Sequence, residues 1–246
     1  MNFSKINYQS FLGQLIRLPL RLIPKKMHMP ILQGRLRGKR WIVGSGEHGY
    51  WLGSYEYQKR LAFEKNIGKN TVVYDIGANV GYFSLLAALL TGPQGQVVAF
   101  EPLPRNVDFL KKHIEINCLN NIKVIEAAVA DQDGSATFEL GASTAMGHLG
   151  ARGELEVTLV SLDSLINQGD IKPPDFIKID VEGAEFEVLQ GAQTLITQYR
   201  PTLFLDTHGR DAHQRVIQFL SDRDYQFEIL DGKSLADTKE LIARPQ

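Results

Sequence analysis

Cysteine is nearly absent from this chain of 246 residues: Cys118 stands alone, so no disulfide can form within it and a reducing, cytoplasmic setting is expected. No run approaches the roughly 18 consecutive apolar residues that a membrane-spanning helix needs. Nor is there an internal repeat or a low-complexity tract, so neither a solenoid nor a disordered linker accounts for any long stretch. The first 40 residues contain no acid at all. They hold nine bases (Lys5, Arg17, Arg21, Lys25, Lys26, Arg35, Arg37, Lys39 and Arg40), leaving 18 basic against 28 acidic residues in the remainder. The net charge of −1 therefore conceals a basic arm and an acidic body that should attract each other. A cleavable leader is a poor reading of residues 11–23, because Arg17, Pro19 and Arg21 interrupt them and no small-residue cleavage site follows. An acidic body, with few aromatics interleaved among the arm's charges, also argues against a nucleic-acid partner.

Two uses of the arm are open from sequence. A basic amphipathic segment would touch an anionic membrane surface or an acidic substrate. Alternatively the arm packs on the acidic body and covers part of it, which Pro19, Pro24 and Pro30 favour by breaking up any long helix.

The remaining length suits one domain with a substantial core. Residues 34–43 alternate as a short hairpin would, and 57–66 read as a helix. Strands are then expected near 71–76, 96–101, 122–126, 174–180 and 201–207, with helices near 81–91, 104–117, 184–197 and 211–221. Such alternation predicts an α/β fold, Rossmann-like and doubly wound, with a mostly parallel sheet covered on both faces. An added hairpin is expected from 135–140 and 156–160. The Gly- and Ala-rich stretch 141–153 between them reads as a loop able to close over a substrate. Residues 225–230 look like a late strand, and the tail after Asp231 carries no signal. Cys118, late in a helical pattern, is expected to be a small buried side chain.

One further absence decides the ligand class. A dinucleotide pyrophosphate wants three glycines as G-x-G-x-x-G, and here the turn after the first core strand reads Asp75-Ile76-Gly77-Ala78-Asn79-Val80-Gly81. The third glycine is missing and an acid stands at the entry. Asp75 would repel a pyrophosphate but attract the amino group, and more weakly the sulfonium, of S-adenosylmethionine. Glu101, at the tip of the next apolar run and 24 residues past Gly77, sits where a carboxylate binds ribose hydroxyls.

At these residues the chain resembles the FkbM-type S-adenosylmethionine-dependent methyltransferases. The likeness rests on the glycine turn above, on Phe100-Glu101-Pro102, on Val160-Ser161-Leu162-Asp163-Ser164-Leu165, and on Lys178-Ile179-Asp180-Val181-Glu182-Gly183-Ala184-Glu185. It runs over about 51–230, so residues 1–50 stand as a basic N-terminal extension and 51–246 as the methyltransferase domain. The resemblance implies O-methylation and S-adenosylmethionine as cofactor, while the residues themselves leave a nitrogen acceptor open.

The expected cofactor residues are Asp75, Gly77, Ala78, Asn79, Gly81, Glu101 and Ala128. Gly77 and Gly81 bring backbone near the methionine part, Asn79 orders the turn or touches the ligand, and Ala128, within Ala127-Ala128-Val129-Ala130-Asp131, lines an adenine slot. The expected catalytic residues are Asp180, Glu182 and His208, with His208 taking a proton from the acceptor. Glu185 reads as an acid favoured by a helix N-terminus. Asp180, Glu182, Asp206 and His208 could also gather around magnesium, but no spacing demands it and no metal is expected. The acceptor is expected to be a small molecule or glycan. The rival readings are a nucleoside-binding protein without catalysis and an NAD-dependent enzyme.

Overall fold

The computed structural model describes residues 19–140, 147–149, 155–231 and 234–246. Among these, a short 3-10 turn (Pro19–Leu22) precedes β1 (His28–Pro30) and β2 (Arg40–Ile42), then α1 (Gly49–Leu52) and α2 (Tyr57–Asn66). The body follows as β3 (Val72–Ile76), α3 (Tyr82–Thr91), β4 (Gln96–Phe100), α4 (Pro104–Ile116), β5 (Ile122–Ile125), β6 (Ala128–Val129), β7 (Gly134–Leu140), β8 (Gly147–Leu149) and β9 (Leu155–Val160). It ends with α5 (Leu162–Asn167), β10 (Phe176–Ile179), α6 (Glu185–Gln190), α7 (Gln193–Tyr199), β11 (Thr202–Asp206), α8 (Arg210–Ser221), β12 (Tyr225–Ile229) and β13 (Glu240–Pro245).

Seven strands form the main sheet in the order β12-β13-β11-β10-β3-β4-β5. All neighbours from β11 to β5 pair in parallel, whereas β13 is antiparallel to both β11 and β12. The chain winds from β3 outward to β5, then returns to the other side of β3 at β10, so the strand order reverses between β3 and β10. Ligands of such sheets bind beyond the strand ends at that reversal.

Because strand side chains alternate, each β-branched run feeds both faces at once. Tyr74, Ile76, Val98, Phe100, Ile177 and Leu203 pack with Val188, Leu195, Ile196 and Val216 of the later helices. On the other face Val73, Val97, Phe204 and Ile242 meet Leu85 and Leu86 of α3, together with Ile31, Leu36, Trp41 and Phe63 from the N-terminal elements. Residues 31–41 are thus part of the core on that face.

Several elements differ from the expectation. The hairpin's first strand lies at His28–Pro30, with 31–39 forming the connection to β2. The helix expected over 184–197 is two helices broken at Gly191 and Ala192: the Gly191 carbonyl accepts the Asp163 amide at 2.9 Å, and the Asp163 carboxylate accepts the Thr194 and Leu195 amides that open the second helix. The silent tail holds β13, whose Leu241, Ile242 and Ala243 are wholly buried between two strands. Cys118 is exposed rather than buried: α4 stops at Ile116, and Cys118 takes a left-handed φ of +54° in the turn beyond it. The loop at 141–153 lies, apart from β8, outside the described residues, as do residues 1–18 of the arm.

His113 ties the N-terminal strand to the glycine turn. The Ile42 N–H donates to His113 Nε2 at 3.1 Å, so the ring's proton is on Nδ1, which donates to the Val80 carbonyl at 2.8 Å. Trp41 stacks on the ring at 3.8 Å between centroids. Burial lowers the His113 pKa to about 4, below the 6.5 of an ordinary imidazole. The unfolded chain therefore binds the extra proton first. The bond network contributes fully above pH 6.5 and is lost as pH falls toward 4, by up to about 3 kcal/mol. Urea unfolding at a series of pH values should show this loss in the native protein, and His113→Gln should remove that component of the slope.

Candidate active site

A cavity of about 920 Å³ opens beyond the carboxyl ends of β3, β4, β10 and β11. That is at the upper end of roughly 300–1,000 Å³ for ligand pockets, so it has room for a nucleoside cofactor and an acceptor together. Its floor is the turn after β3. Gly77 has φ +75°, and a Cβ there would lie 1.9 Å from the Asp180 carbonyl oxygen, so only glycine lets the first turn cross the tip of β10. The amides of Gly77 and Ala78 both donate to the Phe100 carbonyl, holding the turn against β4. Asn79 adopts φ +50° and its Oδ1 accepts the Val80 amide at 2.8 Å, the local ordering role weighed for it from sequence. Gly81, at φ +94°, starts α3.

Glu101 is buried on the cavity wall. Its carboxylate accepts the Asn79 amide at 2.8 Å, the Leu103 amide at 3.0 Å and Asn106 Nδ2 at 3.2 Å. It therefore anchors the glycine turn and the start of α4 at once. Burial pushes its pKa up, and the three donors work against that rise. A carboxylate offers about four acceptor sites, which leaves capacity toward the cavity. Ala127, Ala128 and Val129 form the apolar strip expected for a flat base.

Asp75 is placed differently from the expectation. Lys178 lies in register with it on β10, so both side chains leave the same face of the sheet. Lys178 Nζ stands 3.1 Å from Asp75 Oδ1, and Ser84 Oγ donates to Oδ2 at 2.5 Å. The carboxylate is fully buried and does not line the cavity. Direct contact with an amino or sulfonium group is thereby corrected: Asp75 holds Lys178 instead.

A second group of acids lies at the far end of the cavity. Asp180 follows β10, Asp206 ends β11, and His208 and Glu182 stand beside them on the cavity wall. Burial opposes charge on Asp180, but Lys178 and Lys59 outweigh it and hold its pKa below the usual carboxylate value. His208 Nδ1 lies 2.8 Å from Glu185 Oε1, while Nε2 stands 3.6 Å from Glu182 Oε2 and 3.9 Å from Asp206 Oδ1. The Glu185 bond, aided by Asp206 and Glu182, raises the His208 pKa to about 9 against the cost of burial. Glu185 is wholly buried and also accepts the Gly183 amide at 3.0 Å. It is a histidine-orienting carboxylate, beyond the helix-end role read for it from sequence.

Sequence reasoning missed Lys59 and an aromatic wall, and gave Lys178 a place in a motif but no role. Lys59 reaches Asp206 Oδ2 at 2.7 Å, Glu56 Oε2 at 3.1 Å and Asp180 Oδ2 at 3.4 Å. Tyr50 and Tyr55, tilted together with centroids 4.1 Å apart, close the side of the cavity over Tyr82. Leu20, Ile23 and Lys25 of the arm also line it.

A sheet of this order, with an antiparallel β13, a glycine turn after β3 and an acid after β4, is the fold of the class I S-adenosylmethionine-dependent methyltransferases. A solved structure titled methyltransferase FkbM, from Methylobacillus flagellatus, superposes with a TM-score of 0.51 at 20% identity, over 71% of this chain and 43% of that one. A precorrin-6y C5,15-methyltransferase from Geobacter metallireducens gives 0.50 at 17% identity, over 76% of this chain and 88% of that one. These two likenesses establish the fold. The methyltransferase FkbM domain profile matches residues 75–227, and the chain belongs to that family. Among curated relatives, the hexuronic acid methyltransferase AglP of Haloferax volcanii is 27% identical over 180 residues, 72% of either chain. The methyltransferase sdnD of Sordaria araneosa is 29% identical over 161 residues, 51% of this chain and 62% of that one. The protein is an S-adenosylmethionine-dependent methyltransferase. Its cavity fits that cofactor, offering a buried carboxylate with one acceptor site to spare at Glu101 and an alanine strip for a base. Among the described residues, no helix is long and apolar enough to cross a membrane.

Proposed function

We propose that the enzyme methylates a hydroxyl oxygen on a small molecule or sugar, with Asp180, Glu182 and His208 facing the acceptor. The observation that carries this reading is the His208–Glu185 pair. A buried carboxylate fixes Nδ1 as the donor and leaves Nε2 on the cavity wall, which is the arrangement a base needs to take a hydroxyl proton. Asp180, its pKa held down by two lysines, is a weak base and serves to orient the acceptor.

Glu101 would bind the ribose, Ala127 and Ala128 the adenine, and the backbone of Gly77, Ala78, Asn79 and Gly81 would border the methionine part. The bound cofactor supplies a methyl group made electrophilic by its sulfonium. Everything else asked of the protein is alignment and proton removal; alignment can contribute on the order of 7 to 11 kcal/mol. The aromatic pair Tyr50 and Tyr55 gives a sugar ring a flat partner, and the name of the Haloferax relative supports a sugar acceptor. On this reading the methyltransferase domain runs from 51 to 246 and residues 1–50 are an extension, of which Leu20, Ile23 and Lys25 line the cavity.

The test is transfer of labelled methyl from S-adenosylmethionine to panels of free sugars, polyols, amines and nucleosides, with the product bond located by NMR. An O-methyl ether on a hydroxylated acceptor supports the proposal. Products methylated only on nitrogen would sink it.

A further inference from the structure

We infer that Lys59 stands in for a divalent cation: it holds the acceptor-facing acids in place by occupying the position a metal ion would take. This rests on the reading that Asp180 and His208 face the acceptor, although its main test needs no acceptor.

Asp180, Asp206 and His208 each offer a donor atom, and these atoms lie within 4.8 Å of one another, close enough to share one ion. The surroundings of that cluster are unusual for a metal site. Lys59 comes from α2, more than a hundred residues away in sequence, and its side chain is 95% buried. It touches three carboxylates, two of them members of the cluster, at 2.7, 3.1 and 3.4 Å. Lys178 adds a second ammonium 3.7 Å from Asp180. The Phe83 ring lies against both, 5.9 Å from Lys59 Nζ and 5.5 Å from Lys178 Nζ, so each ammonium faces acids on one side and an aromatic surface on the other. A buried lysine is costly unless paired, and burying this one among three acids makes sense where those acids need a fixed counter-charge.

A divalent ion placed here would meet a positive charge within hydrogen-bond distance of its own ligands. Mutual repulsion of the two cations would exclude it. The lysine differs from a metal in one useful respect: it neutralises Asp180 and Asp206 without offering open coordination positions, so the acceptor is oriented by carboxylate oxygens and His208 removes its proton. Lys59 is therefore a positioning residue.

Manganese binding to the full chain, followed by electron paramagnetic resonance, tests the inference. The native protein should take up no stoichiometric Mn²⁺. Lys59→Ala, which vacates the position, frees Asp206 of its ammonium and leaves Asp180 with Lys178 alone, should bind one Mn²⁺ at least about tenfold more tightly than the native chain. Asp206→Asn in the same background should abolish that gain. Tight stoichiometric binding by the native protein, or no gain in an alanine variant that still binds S-adenosylhomocysteine, overturns the inference. Should the alanine variant not fold, Lys59→Met decides, since it fills the same space without charge. Its kcat should fall about tenfold or more with the KM for S-adenosylmethionine unchanged, and Lys59→Arg should recover part of the loss. An unchanged kcat in the methionine variant counts against it.

Discussion

His208→Ala is expected to lower kcat by about 10²–10⁴-fold while leaving S-adenosylhomocysteine affinity nearly unchanged, the range over which a positioned acid–base group acts. The expectation follows from where its two nitrogens are. Nδ1 is committed to Glu185 at 2.8 Å, so all proton exchange with an acceptor passes through Nε2. The pH dependence gives a sharper signature. Because His208 titrates near 9, the ring is protonated at neutral pH in the free enzyme and cannot accept a proton until it is emptied. The kcat/KM should therefore rise with pH up to about 9 and level off beyond it. Glu185→Gln removes the strongest cause of the raised value, so it should shift that limb to lower pH while reducing the plateau. A variant lacking the imidazole should show no limb in this region. If His208→Ala kept full activity and the same pH profile, proton removal would have to be assigned elsewhere.

The second large effect is expected at Glu101. A hydrogen bond to a charged group contributes about 1.5–3 kcal/mol, so losing the one that its remaining acceptor site can offer the ribose should weaken S-adenosylhomocysteine binding by about 10–10²-fold in Glu101→Ala. Part of the damage is internal. The Asn79 and Leu103 amides both depend on this carboxylate, and removing it leaves them without their acceptor. Glu101→Gln separates the two contributions: its amide oxygen can serve one backbone donor, so folding should be largely kept while affinity still falls. Calorimetric titration, with thermal unfolding of each variant in the absence of ligand, distinguishes a lost contact from a lost turn. Equal affinity in both variants and the native protein would remove Glu101 from the binding site.

How much of this was legible in the sequence depended on how local each cause is. The turn from Asp75 to Gly81 and the acid at Glu101 are short-range devices of one βαβ unit, set by strand, bend and helix, and they stand where their spacing indicates. Asp180 and His208 were legible because each lies at or just beyond a strand tip, and strand tips in this fold share one cavity. Asp75 shows the limit: an acid in the right position along the chain still points to one side of a sheet or the other, and its register with Lys178 buried it. The partners of the site were not legible at all. Lys59 meets Asp180 and Asp206 across 121 and 147 residues, and nothing in α2 distinguishes it from a surface lysine until the tertiary fold brings them together. Strand β13 was silent for a related reason. Six residues from Glu240 to Pro245 carry a weak pattern alone and gain their identity from the two strands that flank them. Cys118 was expected to be buried at the end of a helix over 104–117, but α4 stops at Ile116 and the left-handed turn beyond it carries the side chain into solvent.

A crystal structure with S-adenosylhomocysteine bound tests the central claim most directly, because the sulfur marks where the methyl departs. The ribose hydroxyls should lie on Glu101, and the open side of the sulfur should face Asp180 and His208 Nε2, with space between them for an acceptor oxygen about 3–3.5 Å from the methyl position. A sulfur turned toward Pro102 and Arg105, away from Asp180 and His208, would contradict the account.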